Sequence, residues 1–252
     1  LNQEDLNAYY LLVQKAYFQI FKRCGLLEKT YLTFASGGAF SQYSHEFQTV
    51  TEAGEDTIFI CEDCNLAINK EIIKEQPVCP NCGRQDLLER RAIEIANIFK
   101  LGVKFSKAFD FTVTDAEGKR QPVIMGCYGL GLDRIMGAIV EINHDNHGLI
   151  WPAEVAPFKA HLLDITTEAK GHHQAQIFYE TLLKLGLEVL FDDRLQVPAG
   201  SKFADADLIG CPYRLVVSDR TIEQESFEIK RRRDTEGRLV NFDQVNTYFQ
   251  SN

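Results

Sequence analysis

Two groups of residues in this chain are spaced for chemistry. The first is M-G-C-Y-G-L-G-L-D-R at 125–134, where Gly126, Gly129 and Gly131 lead to Arg134. Glycine lets a ligand lie against the backbone, because no Cβ intervenes. An arginine at the start of the following helix can stack on a purine or pair with a phosphate. A dinucleotide fingerprint reads G-x-G-x-x-G, with an acidic residue about 20 positions on. Here the spacing is G-x-x-G-x-G and Glu141 comes too soon, so the pattern predicts a floor and a cationic clamp for ATP instead. The second group is Cys61-x2-Cys64 with Cys79-x2-Cys82. Two such turns aim four thiolates at one point, the pattern of a zinc ribbon, and four sulfurs leave no open coordination position. Pro80 and Gly83 suit a tight knuckle around the metal. A redox pair and adventitious thiols are the alternatives. The remaining cysteines, Cys24, Cys127 and Cys211, bring the total to seven. An odd count without a secretory signal predicts a reducing compartment rather than a disulfide framework.

These groups need elements to hold them. Residues 4–24 carry apolar side chains at helical steps, and Gly25 is the expected stop. Strands are expected at 30–36, 45–50, 57–60, 90–102, 107–114 and 121–128, and a helix at 132–142. This first part reads as antiparallel α+β. From Trp151-Pro152 onward strands and helices alternate, which predicts βαβ units. The boundary is expected at 152–158. At 252 residues the chain holds one large domain or two ordinary ones. Its net charge of −9 means that any polyanion site must be a local basic patch. No apolar run approaches the roughly 20 residues of a membrane span.

The ordered set S-H-E-F (44–47), R-A-I-E-I-A-N-I-F-K-L-G (91–102), M-G-C-Y-G-L-G-L-D-R-I and L-F-D-D-R…G-S-K-F-A-D-A-D-L-I-G-C-P (190–212) resembles class II aminoacyl-tRNA synthetases of the bacterial and mitochondrial prolyl type. The resemblance covers nearly the whole chain. It implies a partial antiparallel α+β class II catalytic core at 1–60 and 85–152. A zinc-ribbon-like hairpin at 61–84 would stand where many relatives carry a large editing domain, so no editing in cis is expected. An α/β anticodon-binding domain would follow at 153–252. The implied reaction is two-step: proline carboxylate attacks the α-phosphate of ATP, and the acyl group then passes to the 3′ end of tRNA(Pro). ATP, Mg²⁺ and structural Zn²⁺ are the implied cofactors. A homodimer of the full-length protein is implied, in the cytoplasm or the mitochondrial matrix.

Residue by residue, the resemblance assigns Gly129, Gly131, Arg134, Glu94 and Asn97 to ATP, with Arg134 and Glu94 in catalysis. It assigns Ser44, His45, Glu46 and Cys127 to proline, while the spacing assigns Cys61, Cys64, Cys79 and Cys82 to the metal. Read from the residues themselves, Asp192, Asp193, Arg194, Lys202 and Arg231 are the candidates for tRNA, the carboxylates suited to guanine N–H donors. In the run Lys230-Arg231-Arg232-Arg233, strand alternation would turn one pair to phosphate and the other to water. Asn97 and Ala96 depart from the His and Gly usual in this type. The resemblance also places motif 1, the motif 2 arginine and the proline-binding loop upstream of Leu1. The expectation is therefore that these residues alone do not form prolyl-adenylate. A non-catalytic, synthetase-derived tRNA-binding module is the second reading. A relative acting on His, Thr or Gly is disfavoured by the pairing of S-H-E-F with M-G-C-Y-G.

Overall fold

The computed structural model describes residues 2–250. The apolar steps near the start form α1 (Gln3–Arg23), which buries Leu6, Tyr10, Tyr17 and Phe21 on one stripe. Asn2 and Asp5 cap it reciprocally, each side chain accepting the other's backbone N–H. Gly25 ends it at φ 68°.

Five strands follow: β1 (Thr30–Ser36), β2 (Tyr43–Val50), β3 (Asp56–Cys61), β4 (Leu66–Asn69) and β5 (Leu88–Gly102). Their order is β2-β1-β4-β3-β5, and β5 also pairs with β2, so the pairings close on themselves. The 15-residue length of β5 permits this. Its first residues pair with β3, its middle with β2, and its last part with β8 (Met125–Leu130). Pairing is antiparallel except between β1 and β4, which are parallel. The sheet is thus mixed. Ile58, Ile60, Ala67 and Ala92 form a buried cluster linking β3, β4 and β5.

Residues 107–114 do not form the expected strand. They give α2 (Lys104–Ala108), a turn with Asp110 at φ 49°, and only a short β6 (Thr112–Thr114). β6 pairs with β7 (Arg120–Pro122). The apolar residues in this stretch stay on the surface, Phe109 at 79% exposure. β8 then runs into α3 (Leu132–Ile142), which buries Ile135, Ala138 and Ile139.

The chain divides into two units at Ile142/Asn143, earlier than the expected 152–158. The hairpin of β9 (His144–Asp145) and β10 (Gly148–Leu149) belongs to the second unit for steric reasons. Gly210, at φ 77°, lies so close that a Cβ there would sit 2.1 Å from the Leu149 carbonyl oxygen. The Trp151 indole also donates to the Ile209 carbonyl at 3.0 Å.

In this unit β11 (Ala160–Asp164), α4 (Ala169–Lys184), β12 (Val189–Asp192), α5 (Ala199–Ile209) and β13 (Tyr213–Val217) alternate as expected. α6 (Asp219–Glu223), β14 (Ser226–Arg231), β15 (Arg238–Asn241) and α7 (Val245–Gln250) complete it. The sheet order is β12-β11-β13-β14-β15. The first three strands are parallel and the last two join antiparallel. Leu162, Leu215, Phe178, Leu182 and Phe227 anchor its core.

Candidate functional site

On three adjacent strands Glu46, Asn97 and Gly129 are direct neighbours: Glu46 opposes Asn97, and Asn97 opposes Gly129. A register shift after Phe47 skips one residue of β5, so Gln48 opposes Glu94. That shift brings Glu94 and Asn97 to the same side, and Asn97 Nδ2 donates to Glu94 Oε1 at 2.7 Å. Arg134, in the first turn of α3, reaches back to this pair. Its Nη1 donates to Glu94 Oε2 at 2.9 Å and to the Glu94 carbonyl at 3.1 Å. Gly129 leaves room for this group, since a Cβ there would come within 3.2 Å of Asn97 Oδ1.

Glu46 accepts from Gln48 Nε2 at 2.9 Å and from Asn69 Nδ2 at 3.1 Å. Burial, with the Glu94 carboxylate adding to it, pushes the Glu46 carboxyl up to about 7. The face therefore offers a glycine floor, a half-exposed guanidinium and two carboxyl groups. Gln48 and Asn69 carried no sequence signal of their own. Gln48 follows Glu46 by two residues on the same strand, and Asn69 arrives through β4, which lies between the cysteine pairs.

Of the other residues assigned to proline, Cys127 stands two residues before Gly129 on β8 and shares its side of the strand, whereas His45 does not join this group. His45 points to the opposite side of β2, where its Nδ1 lies 2.8 Å from the Tyr10 hydroxyl and its ring meets Phe34 edge-on. Ser44 is buried and donates to the Ser36 carbonyl at 2.9 Å. Cys127 is exposed on β8 opposite Phe99. Burial, with help from the Lys100 charge, lowers His45 to about 4, so its imidazole is neutral.

The four hairpin cysteines converge, all Sγ atoms lying within 4.8 Å of one another. Zn–S bonds of about 2.3 Å in a tetrahedron require sulfurs roughly 3.8 Å apart. Cys61 Sγ and Cys82 Sγ are 3.6 Å apart, close to that spacing and far beyond a disulfide bond. Asn81 Nδ2 donates to Cys64 Sγ at 3.1 Å, an outer hydrogen bond of the kind that supports a metal-bound thiolate. The donor set fits Zn²⁺.

In the second unit burial corrects two of the tRNA assignments. Lys202 is 2% exposed and donates to the carbonyls of Asp164 at 2.6 Å and Asp192 at 3.1 Å. It ties the ends of β11 and β12 to α5 and has no surface to offer. Asp192 is also buried, and both its oxygens take Arg194, at 2.9 and 2.7 Å. That pairing holds its carboxyl down at about 2. Asp193 is exposed, and Arg194 bridges Asp192 to Asp205. Arg231 is exposed, its guanidinium 5.9 Å from the Tyr213 ring centre. The basic run does not alternate freely either. Arg232 is buried and holds both oxygens of Asp145, and Arg233 donates to Asn143.

Residues 2–143 match the family of the tRNA synthetase class II core domain (G, H, P, S and T). The chain belongs to this family of class II tRNA synthetases. Residues 155–252 match the anticodon binding domain. A proline–tRNA ligase of Desulforamulus reducens is 44% identical over 170 residues, 67% of this chain and 30% of that protein. One from Endomicrobium trichonymphae is 42% identical over 175 residues, 68% of this chain and 31% of that protein. The matched stretch thus spans under a third of these class II relatives. A Giardia lamblia prolyl-tRNA synthetase in complex with prolyl-adenylate superimposes with a TM-score of 0.74 at 20% identity, over 97% of this chain and 45% of that one. At that identity the likeness establishes the synthetase fold. Among the described residues no helix is long and apolar enough to cross a membrane.

Proposed function

We propose that this chain is the part of a proline–tRNA ligase that carries one wall of the adenylation site and the tRNA-reading domain. The contiguous set Arg134, Glu94, Asn97, Gly129 and Glu46 carries the reading. In the proposed reaction proline carboxylate attacks the α-phosphate of ATP, giving prolyl-adenylate and pyrophosphate, and the acyl group passes to the 3′ end of tRNA(Pro). Gly129 and Gly131 keep the sheet flat under the nucleotide. Arg134 turns from Glu94 to the nucleotide, where its fixed charge stabilises the transferring phosphate. Glu94, once released, would take the Mg²⁺ that accompanies ATP, and that ion would neutralise its phosphates. Glu46 would meet the secondary ammonium of proline. Such catalysis is positioning and charge stabilisation, and it needs no protein nucleophile. Asp193, Arg194 and Arg231 are the exposed candidates for anticodon contact. Homodimer formation in the full-length protein and action in the cytoplasm or mitochondrial matrix rest on the family resemblance.

The test is proline-dependent pyrophosphate exchange by the full-length protein, across pH. A carboxyl raised from 4.5 to about 7 is still partly protonated near neutrality, so it becomes a better partner for ammonium as pH rises. KM for proline is expected to fall between pH 6 and 8, by about tenfold over the step set by that ionisation. Glu46→Gln should flatten the profile and raise KM. A pH-independent KM in the parent protein, or a Gln variant with the parent profile, rejects this role.

The cysteine centre is proposed as a structural Zn²⁺ site. Metal analysis after anaerobic, reducing purification should find about one zinc per chain. Cys61→Ser should lower that content sharply and loosen the 61–84 hairpin. A parent protein with far less than one zinc would remove the metal from this account.

A further inference from the structure

Glu46 is held by one oxygen. Gln48 Nε2 donates to its Oε2 at 2.9 Å, and Asn69 Nδ2 donates to the same Oε2 at 3.1 Å. No described residue bonds Oε1. The two donors come from separate strands, Gln48 from β2 and Asn69 from β4, with β1 between them.

Neither amide can turn round while the carboxylates are ionised. Gln48 Nε2 gives its second hydrogen to Asp56 Oδ2 at 2.6 Å, so a reversed amide would set a carbonyl against two carboxylate oxygens. Gln48 is 0% exposed, and its own Oε1 has no partner among the described residues. A buried carbonyl left unpaired costs stability, and a packing role alone would be served better by an apolar side chain of the same volume. Gln48 is therefore committed to its two donor bonds. Asn69 is fixed in another way. Its Oδ1 accepts the Glu71 N–H at 3.1 Å and caps the turn of helix at Lys70–Ile72, which leaves Nδ2 for Glu46.

We propose that Gln48 and Asn69 are positioning residues: together they fix Glu46 by one oxygen and keep the other open to the ammonium of the amino acid. The inference rests on the role proposed above for Glu46 and assigns the residues that set it. Without these donors the carboxylate turns about its side-chain bonds and loses the hydrogen bonds that favour its ionised form. The charged groups around it are Glu94 from β5, Glu71 from the turn after β4 and, through Gln48, Asp56 from β3; Arg134 from α3 is paired to Glu94. The carboxylates oppose a further negative charge, so the two amides are what favour the anion.

The test uses the full-length protein with Gln48→Met, which keeps the volume, and Asn69→Ser, which keeps a capping oxygen but is too short to reach Glu46. Carboxyl ¹³C NMR without proline should place the Glu46 titration about one pH unit higher in each variant, because a lost donor favours the protonated form. The fall of KM for proline with pH should move upward by the same amount. Near pH 9.5, where Glu46 is largely ionised in every form, KM should still stand at least about threefold above the parent, with kcat within about twofold. That residual loss reports position rather than charge, and packing alone would not move the titration. The inference is overturned if either variant keeps the parent titration, or if KM returns to the parent value near pH 9.5. A parent-like KM profile in Glu46→Gln would overturn the role of Glu46 and the inference with it. The NMR titration, read without proline, tells that failure from a failure of the two amides.

Discussion

Replacing Arg134 by alanine in the full-length protein is expected to lower proline-dependent pyrophosphate exchange by about 10²–10³-fold, the loss typical of one fixed transition-state donor. The residue is half exposed, and its guanidinium bonds Glu94 at 2.9 and 3.1 Å. An ion pair of that exposure contributes about 0.2–1 kcal/mol to stability, so the fold should survive. Activity and stability therefore separate in this variant. Arg134→Lys should recover little, because a point charge cannot reproduce a planar guanidinium against a base or a phosphate. Exchange within about tenfold of the parent, a difference of about 1.4 kcal/mol, would remove Arg134 from the reaction. A collapse of thermal stability matching the loss of activity would make its role structural instead.

Lys202→Met is expected to have the largest effect on stability, about 3–5 kcal/mol in urea unfolding of the second unit. The methionine keeps most of the aliphatic volume but leaves the Asp164 and Asp192 carbonyls without their donor, in a site where Lys202 is 2% exposed. It also removes the cation 3.5 Å from the Asp192 carboxylate. Arg194 still holds that carboxylate, so the loss falls mainly on the two strand ends. Since β11 and β12 end there, the tRNA contact proposed for Asp193 and Arg194 should weaken only as far as the unit unfolds. A variant within about 1 kcal/mol of the parent would show that water serves the carbonyls as well as the ammonium does.

The two cysteine pairs were legible because their chemistry is local. Each CxxC turn carries its own geometry, and the structure had only to bring two turns together. Arg134 was legible for a related reason, since the glycines fix where the strand ends and the helix begins. His45 and Glu46 show the limit. Adjacent residues on a strand face opposite sides, so one joins Arg134 and the other faces Tyr10. A resemblance that assigns both to one pocket carries no information on that split. Asn97 and Glu94 depend on a register shift that no pattern of residue types announces. Lys202 and Arg232 fail in another way. Their charge reads as a surface feature, and only the packing of α5 and the β9–β10 hairpin reveals that both are buried.

The change of character between the two halves, the thiolate cluster and the glycine corner are properties of the sequence alone. They arise from near neighbours in the chain: apolar periodicity, turn residues and ligand spacing. The tertiary structure decided which residues share a face, which charges reach solvent and where the halves divide. Those outcomes depend on pairing between residues far apart in sequence. The ring that β5 closes places Asn69 beside Glu46, and Gly210 meets Leu149. No local pattern encodes such contacts.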